Sequence, residues 1–243
     1  MERVKAISGA ELVRQKLKNC GDSKKAAHLA KFFQAFPGGY GEGDRFLGVA
    51  VPVQRRIAKS WYRDIALCEL ENLLRDPLHE CRLTAIFIMV YKFEKAKTTS
   101  QREALISLYL GNLIYVNNWD LVDSSAYKLL GPYLADKDRS LLYSLAGSGV
   151  LWQERIAVIA TLHFIRHHDY ADTLELAKML IGHRHDLIHK AVGWMLRETG
   201  NRDFKVEYDF LQENYRIMPR TMLRYAIEKF EPDLRKRFLA GQV

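Results

Sequence analysis

This chain has little cysteine, no long hydrophobic run and no strand-like alternation, and each absence excludes something. Cys20, Cys68 and Cys81 are odd in number, far apart and in no metal-ligand spacing. They read as reduced, mostly buried thiols of a cytoplasmic protein, not as a disulfide framework. Met1 runs directly into ERVKAISGAEL without an apolar h-region, so no secretory signal is expected. The best candidate for a membrane span, Ala85–Tyr91, falls far short of the roughly 18 apolar residues required. No convincing period-2 pattern appears, which argues against sheets. The glycine-rich stretch lacks the Gly-Lys-Ser/Thr of a Walker loop, and neither a Gly-x-Ser-x-Gly elbow nor a Ser-His-Asp signature is present. His163/His167 and His185/His189 have i, i+4 spacing, but neither pair has a zincin glutamate or a thiolate partner nearby. No metal and no cofactor is therefore assigned.

What is present is helix-forming sequence and positive charge. The 243 residues are 48% hydrophobic, enough for a sizeable core, with a net charge of +8. Residues 1–60 hold twelve Lys/Arg against five Asp/Glu, which makes the N-terminal segment a candidate for phosphate contact. A solvated basic face would have the same composition. Ser8 with Glu11 forms a capping box, and Gly21 closes the first helix. Further helices are expected over 23–36, 52–63, 67–75, 77–95, 98–116, 118–134 and 138–146. The series continues over 151–167, 169–181, 186–199, 203–215, 219–230 and 232–240. Connections are a few residues long. The exception is the loop 37–51, PGGYGEGDRFLGVAV. Its glycines permit left-handed backbone, suiting either a phosphate-binding nest of N–H groups or a plain connection.

The helices repeat. Arg82, Asp123, Arg155, Lys190 and Arg224 each precede a small residue within three positions, at intervals of 41, 32, 35 and 34 residues. That is the period of stacked helical pairs, whose equivalent positions share one face. A column of cations suggests a polyanion, and Asp123 is the one acid within it. A carboxylate there repels phosphate, so chemistry on nucleic acid is one reason for it to be there. Trp119 lies four residues before Asp123, Trp152 three before Arg155, and Trp194 four after Lys190. Each indole therefore shares a helix face with the aligned charge. A single such tryptophan is usually core; recurrence in three consecutive units weakens that reading.

Several stretches resemble the AlkD-type DNA alkylation-repair glycosylases. Asn118-Trp119-Asp120-Leu121-Val122-Asp123 resembles their Trp-Asp-x-x-Asp motif, with Asn118 where the family often has a second tryptophan. Leu151-Trp152-Gln153-Glu154-Arg155 resembles their Trp-x-x-Arg segment. Lys190-Ala191-Val192-Gly193-Trp194-Met195-Leu196-Arg197-Glu198 is similar to their Lys-Ala-Ile-Gly-Trp-x-Leu-Arg-Glu block. Phe46-Leu47-Gly48-Val49 with Pro52 and Arg55-Arg56 matches their N-terminal signature, and the similarity runs in order over about residues 24–230.

The resemblance implies one all-α domain over 1–243, a right-handed superhelical solenoid of HEAT-like antiparallel helix pairs with a concave basic face. It implies hydrolysis of the glycosidic bond of N3- or N7-alkylated purines in duplex DNA, without enclosing the base. Asp123 would stabilise the sugar and position water, with Trp119 and Trp194 against the lesion-bearing nucleotide. Arg155, Lys190, Arg197, Arg82, Arg55, Arg56 and Phe32 would contact DNA. Phe32 stands where the family has a tyrosine, so that hydroxyl is lost. A monomer is expected, since a groove that clasps a duplex needs no second copy. The competing class is a non-catalytic helical scaffold binding DNA or protein.

Overall fold

The computed structural model describes residues 8–243, so the expectation that no secretory signal follows Met1 falls largely on residues 1–7 and lies outside them. The chain is all-α, and the one β-like pairing among the described residues is an isolated bridge between Arg45 and Leu78. It divides into two compact units, 1–125 and 126–243.

The first unit holds α1 (Gly9–Asn19), α2 (Ser23–Phe32), α3 (Val51–Trp61), α4 (Leu67–Leu74), α5 (His79–Lys95) and α6 (Thr99–Leu110). A 3₁₀ turn, Leu113–Tyr115, leads into α7 (Trp119–Leu134), whose first two turns belong to this unit. Ser8 caps α1 through the Glu11 N–H, and Asp22 caps α2 through Lys24 and Lys25. The expected 98–116 helix stops at Leu110 before that 3₁₀ turn. The end of α2 also falls short of the expected Phe36. Gln34 takes φ 50°, while Ala35 N–H donates to Ala30 and Gln34 N–H to Lys31. That is a Schellman closure using glutamine where glycine is usual, so the Pro-Gly-Gly punctuation came too late to mark it.

The centre of this unit is α5. Thirteen of its seventeen residues are buried, so it is packed on all sides, by α1, α3, α4 and α6. The short apolar run Ala85–Tyr91 is this core helix.

The second unit holds α8 (Ser140–Ala146), α9 (Leu151–Ala160), α10 (Leu162–Ile165), α11 (Ala171–Met179), α12 (Asp186–Gly200), α13 (Phe204–Asn214), α14 (Arg220–Ala226) and α15 (Pro232–Ala240). The expected 151–167 helix is interrupted at Thr161, and α10 ends in a second Schellman closure at His168, φ 60°. Here α12 is central, against α9, α11, α13 and α14. Gly193 is what lets α14 approach: a Cβ there would sit 2.4 Å from Met222 O and 2.6 Å from Tyr225 Cβ. The glycine of the Lys-Ala-Val-Gly-Trp block is therefore a packing requirement.

Glu207 is buried in this unit, and its Oε1 has no hydrogen-bond partner. Burial raises its pKa to about 9, against the opposing pull of Arg197. Between the ordinary value of 4.5 and about 9, the unfolded chain gives up a proton that the folded chain keeps. Stability therefore falls as pH rises across that window. Glu207→Gln has no proton to lose. Its melting temperature should match wild type near pH 4 and exceed it by several degrees at pH 8.5. Parallel melting curves at both pH values would expose the opposite pattern.

Candidate functional site

The site of interest in the first unit begins where α7 begins. Asn118 is fully buried; its Oδ1 accepts from Trp119 N–H at 2.9 Å, and its Nδ2 donates to Asp44 Oδ2 at 3.2 Å. Asp120, in the first turn, accepts from His79 Nε2 at 2.9 Å. The other ring nitrogen of His79 meets Asp44 Oδ2 at 2.9 Å, and Arg82 closes on Asp44 Oδ1. Burial works against charge on His79. Asp120 and Asp44 outweigh it and raise its pKa to about 9. His79 is therefore an imidazolium donating from both nitrogens. Burial likewise works against the Asp44 carboxylate, but His79 and Arg82 outweigh it and hold its pKa below the ordinary value. Two cations and two carboxylates make a cluster with no net charge, buried between the start of α5 and the start of α7.

Aromatic rings enclose that cluster. Phe46 and Phe33 lie 4.8 and 5.0 Å from the His79 ring. Phe33 stacks on Phe46 at 5.4 Å and on Trp119 at 5.2 Å. Phe32, 55% exposed, meets the Trp119 ring edge-on at 6.0 Å. Trp119 is thus held by a neighbour on one side and remains half-buried. Asp123, also half-buried, lies one turn further along the same face of α7. The arrangement puts a carboxylate and an indole on a helix end that buried charges hold in place.

The loop 37–51 explains the Phe-Leu-Gly-Val motif. The N–H groups of Leu47, Gly48 and Val49 converge on the buried carboxylate of Glu80 at 2.9, 2.8 and 3.2 Å. The nest of N–H groups exists, but the protein's own glutamate fills it, which corrects the phosphate expectation. Gly48 has φ 81°, and a Cβ there would lie 2.1 Å from Asp22 O, so only glycine fits. Pro52 then starts α3.

The repeat column recurs in the first two turns of α5, α7, α9, α12 and α14. Arg82 is the fourth residue of α5, while Asp123, Arg155, Lys190 and Arg224 are each the fifth of α7, α9, α12 and α14. It is not a uniform stripe of solvated cations: Arg224 is exposed, whereas Arg82 and Arg155 are buried. Arg82 is 4% exposed and donates to Asp44 and to Asp76 O, while its unpartnered Nε is buried, so it fastens the cluster and turns no donor to solvent. Burying a guanidinium is tolerable only with such partners. Arg155, 5% exposed, donates to Leu187 O at 2.6 Å and joins α9 to the start of α12. Lys190 pairs with Asp186 at 2.7 Å and Arg197 with Glu228. Trp194 is half-buried and donates to Glu198 at 3.2 Å; Trp152 is half-buried as well. None of the three indoles is a core side chain. In the first unit Arg55 lies over the Phe87 ring at 4.0 Å, and Arg56 is exposed.

The histidine pairs have local partners. His163 and His167 lie 4.4 Å apart, and burial together with His167 lowers the pKa of His163. His185 caps α12 through Leu187 N–H, His189 bonds His183 O at 2.5 Å, and His183 pairs with Glu154 at 3.0 Å. Among the described residues no group of three or more His, Cys, Asp and Glu is placed to hold a metal. The thiols correct the expectation of burial: Cys20 and Cys68 are exposed and only Cys81 is buried.

Sequence reasoning missed His79, Asp44, Phe33, Glu80 and Gln54. Two of them carried a signal. His79 and Glu80 are ionisable neighbours opening a helix that is otherwise apolar, and such residues are buried only with partners. Asp44 and Phe33 carry none, because their partners are 35 and 46 residues away.

These features define the class: an all-α protein of short helices in which an indole and an acid share the first turns of α7. The chain belongs to the DNA alkylation repair enzyme family, whose model matches residues 13–230. A solved structure described as a predicted DNA alkylation repair enzyme from Enterococcus faecalis shares the fold. Its TM-score is 0.68 at 16% sequence identity, covering 87% of this chain and 97% of that chain. No curated protein matches the sequence.

Proposed function

We propose that this protein is a DNA glycosylase hydrolysing the N-glycosidic bond of cationic N3- and N7-alkylated purines in duplex DNA, acting as a monomer in the cytoplasm. The observation that carries the reading is Asp123, half-exposed and one turn beyond Trp119 on a helix end held by the His79 cluster. The alkylated base carries a positive charge. As the bond from C1′ breaks, its electron pair neutralises the departing base, and no general acid is needed. Positive charge develops on the sugar, as in other glycoside hydrolyses. The Asp123 carboxylate stabilises that charge and orients the water whose oxygen bonds to C1′, the proton that this water loses passing to solvent. A preorganised contact of this kind is worth roughly 3–4 kcal/mol. Indole faces such as Trp119 favour the same cationic character, at roughly 0.5–2 kcal/mol each.

Substrate choice should follow the charge of the leaving group. The protein should release 7-methylguanine and 3-methyladenine, and leave hypoxanthine and uracil untouched. Loss of a neutral base usually needs protonation, and neither Trp119 nor an ionised Asp123 supplies a proton readily. Excision rates on matched duplexes bearing each lesion test this. Comparable rates for all would require an acid elsewhere, with His163, His185 and His189 the first to substitute.

A further inference from the structure

A cleft of about 470 Å³ opens at the far end of α5, within the roughly 300–1,000 Å³ of small-molecule sites. Lys92 on its wall is thirteen residues beyond His79, roughly 20 Å along the helix at 1.5 Å per residue. Neither Trp119, Asp123 nor any member of the His79 cluster lines it. Its charged lining is of one sign: Arg63, Lys92 and Lys95, with no carboxylate. Among the described residues none of these three cations is in an ion pair. Arg63 gives its Nε–H to the Tyr62 hydroxyl at 2.9 Å, which leaves its terminal amino groups available. Lys92 is half-buried, and burial lowers its pKa against the pull of Asp64. An anion beside that amine would offset the cost of burying its charge. Glu94 and Glu103 are exposed close by in sequence but do not line the cleft. The neutral lining groups add donors. Gln101 Oε1 already accepts from the N–H groups of Lys97 and Thr98, at 2.8 and 3.3 Å, so its Nε2 donors remain. Ser100, in the first turn of α6, adds a hydroxyl. The helices α3 and α5 end at this edge while α4 and α6 begin there, so their dipoles oppose one another and the side chains decide the sign.

We infer that this cleft binds a phosphate monoester of about mononucleotide size, its phosphate held by Arg63, Lys92 and Lys95. Such a group carries a charge of about −1.5 to −2 near neutral pH and three acceptor oxygens. That suits three unpaired cations and a set of spare donors, whose hydrogen bonds to an ionised group are the strong ones. Leu67, Ala104 and Leu105 supply apolar lining for the organic part, which inorganic phosphate lacks. A free nucleotide and the 5′-phosphorylated end of a DNA strand share this chemistry, so the two sources need separate arms. Binding here is independent of Asp123 and of the reaction proposed above.

The test is calorimetric titration of the full chain with AMP, adenosine and inorganic phosphate. AMP should bind saturably, and at least about tenfold more tightly than either adenosine or phosphate. Lys92→Met keeps an apolar stem, removes the charge and should bring AMP down to the level of adenosine. Lys95→Met, at an exposed position, should weaken AMP by about threefold and covers the case in which the Lys92 variant does not fold. Lys236→Met makes the same charge change on α15, where the side chain is 79% exposed, and should leave AMP binding as it is. A second arm titrates a short single strand with and without a 5′-phosphate. A preference for the phosphorylated strand that Lys92→Met abolishes assigns the cleft to a strand end. AMP binding without such a preference assigns it to a free nucleotide. AMP held no more tightly than adenosine or phosphate overturns the inference. So does AMP affinity that both cleft variants leave unchanged, or that Lys236→Met lowers equally.

Discussion

Asp123→Asn should lose excision of 7-methylguanine by at least about a hundredfold while holding duplex DNA as tightly as wild type, or more tightly. The substitution keeps size and shape and removes one negative charge. If that charge stabilises the sugar in the transition state, its loss removes roughly 3–4 kcal/mol from the reacting state and little from the ground state. The same change removes a repulsion toward phosphate, so affinity does not fall and its salt dependence stays similar. Single-turnover excision alongside equilibrium binding separates the two effects. An Asp123→Asn protein with near wild-type excision would show that the carboxylate is not catalytic.

His79→Ala should be the most damaging single change in the first unit. It leaves Asp44 and Asp120 facing a void, and removing one partner of a buried ion pair typically costs about 3–5 kcal/mol. For a chain of this size, melting falls by roughly 2–4 °C per kcal/mol, so a loss on the order of 10 °C is expected. The effect has a pH signature. The folded pKa of His79 is about 9, against an ordinary 6.5. Its contribution is thus complete below pH 6.5 and disappears as pH rises through about 9. The melting difference between wild type and His79→Ala should shrink over that window. Excision should fall too, because Trp119 and Asp123 ride on the helix that His79 holds. A difference that stays constant from pH 6 to pH 10 would mean that His79 is not charged in the folded protein.

How much of this was legible beforehand differs from element to element. The spacing of apolar residues was enough for nearly every helix, because each buries one stripe along a short local stretch. Boundaries slipped where a non-glycine residue took the left-handed position, as at Gln34 and His168. Trp119 and Asp123 were legible because they lie four apart on one helix. Arg82 was misread for a reason that sequence cannot reach: its identical place in the repeat hides whether its surroundings are solvent or Asp44. The glycine-rich loop was read as either a nest or a plain connection, and the N–H groups do converge. Which anion fills them depended on Glu80, over thirty residues away.

The sequence by itself therefore determined that the chain is all-α, that its helices recur at a near-constant interval, and which acid and indole stand out in that register. These follow from local periodicity and from residue types at short separation. Only the tertiary structure decided which charges are buried fasteners and which face solvent. Asp44, the His79–Arg82 turn and Asp120 are far apart in the chain, and each would be ordinary surface alone. Packing removes water from all four at once, and in that low-dielectric setting an ion is stable only beside its opposite. That condition depends on the assembled neighbours, so it is met, and becomes visible, only in the folded chain.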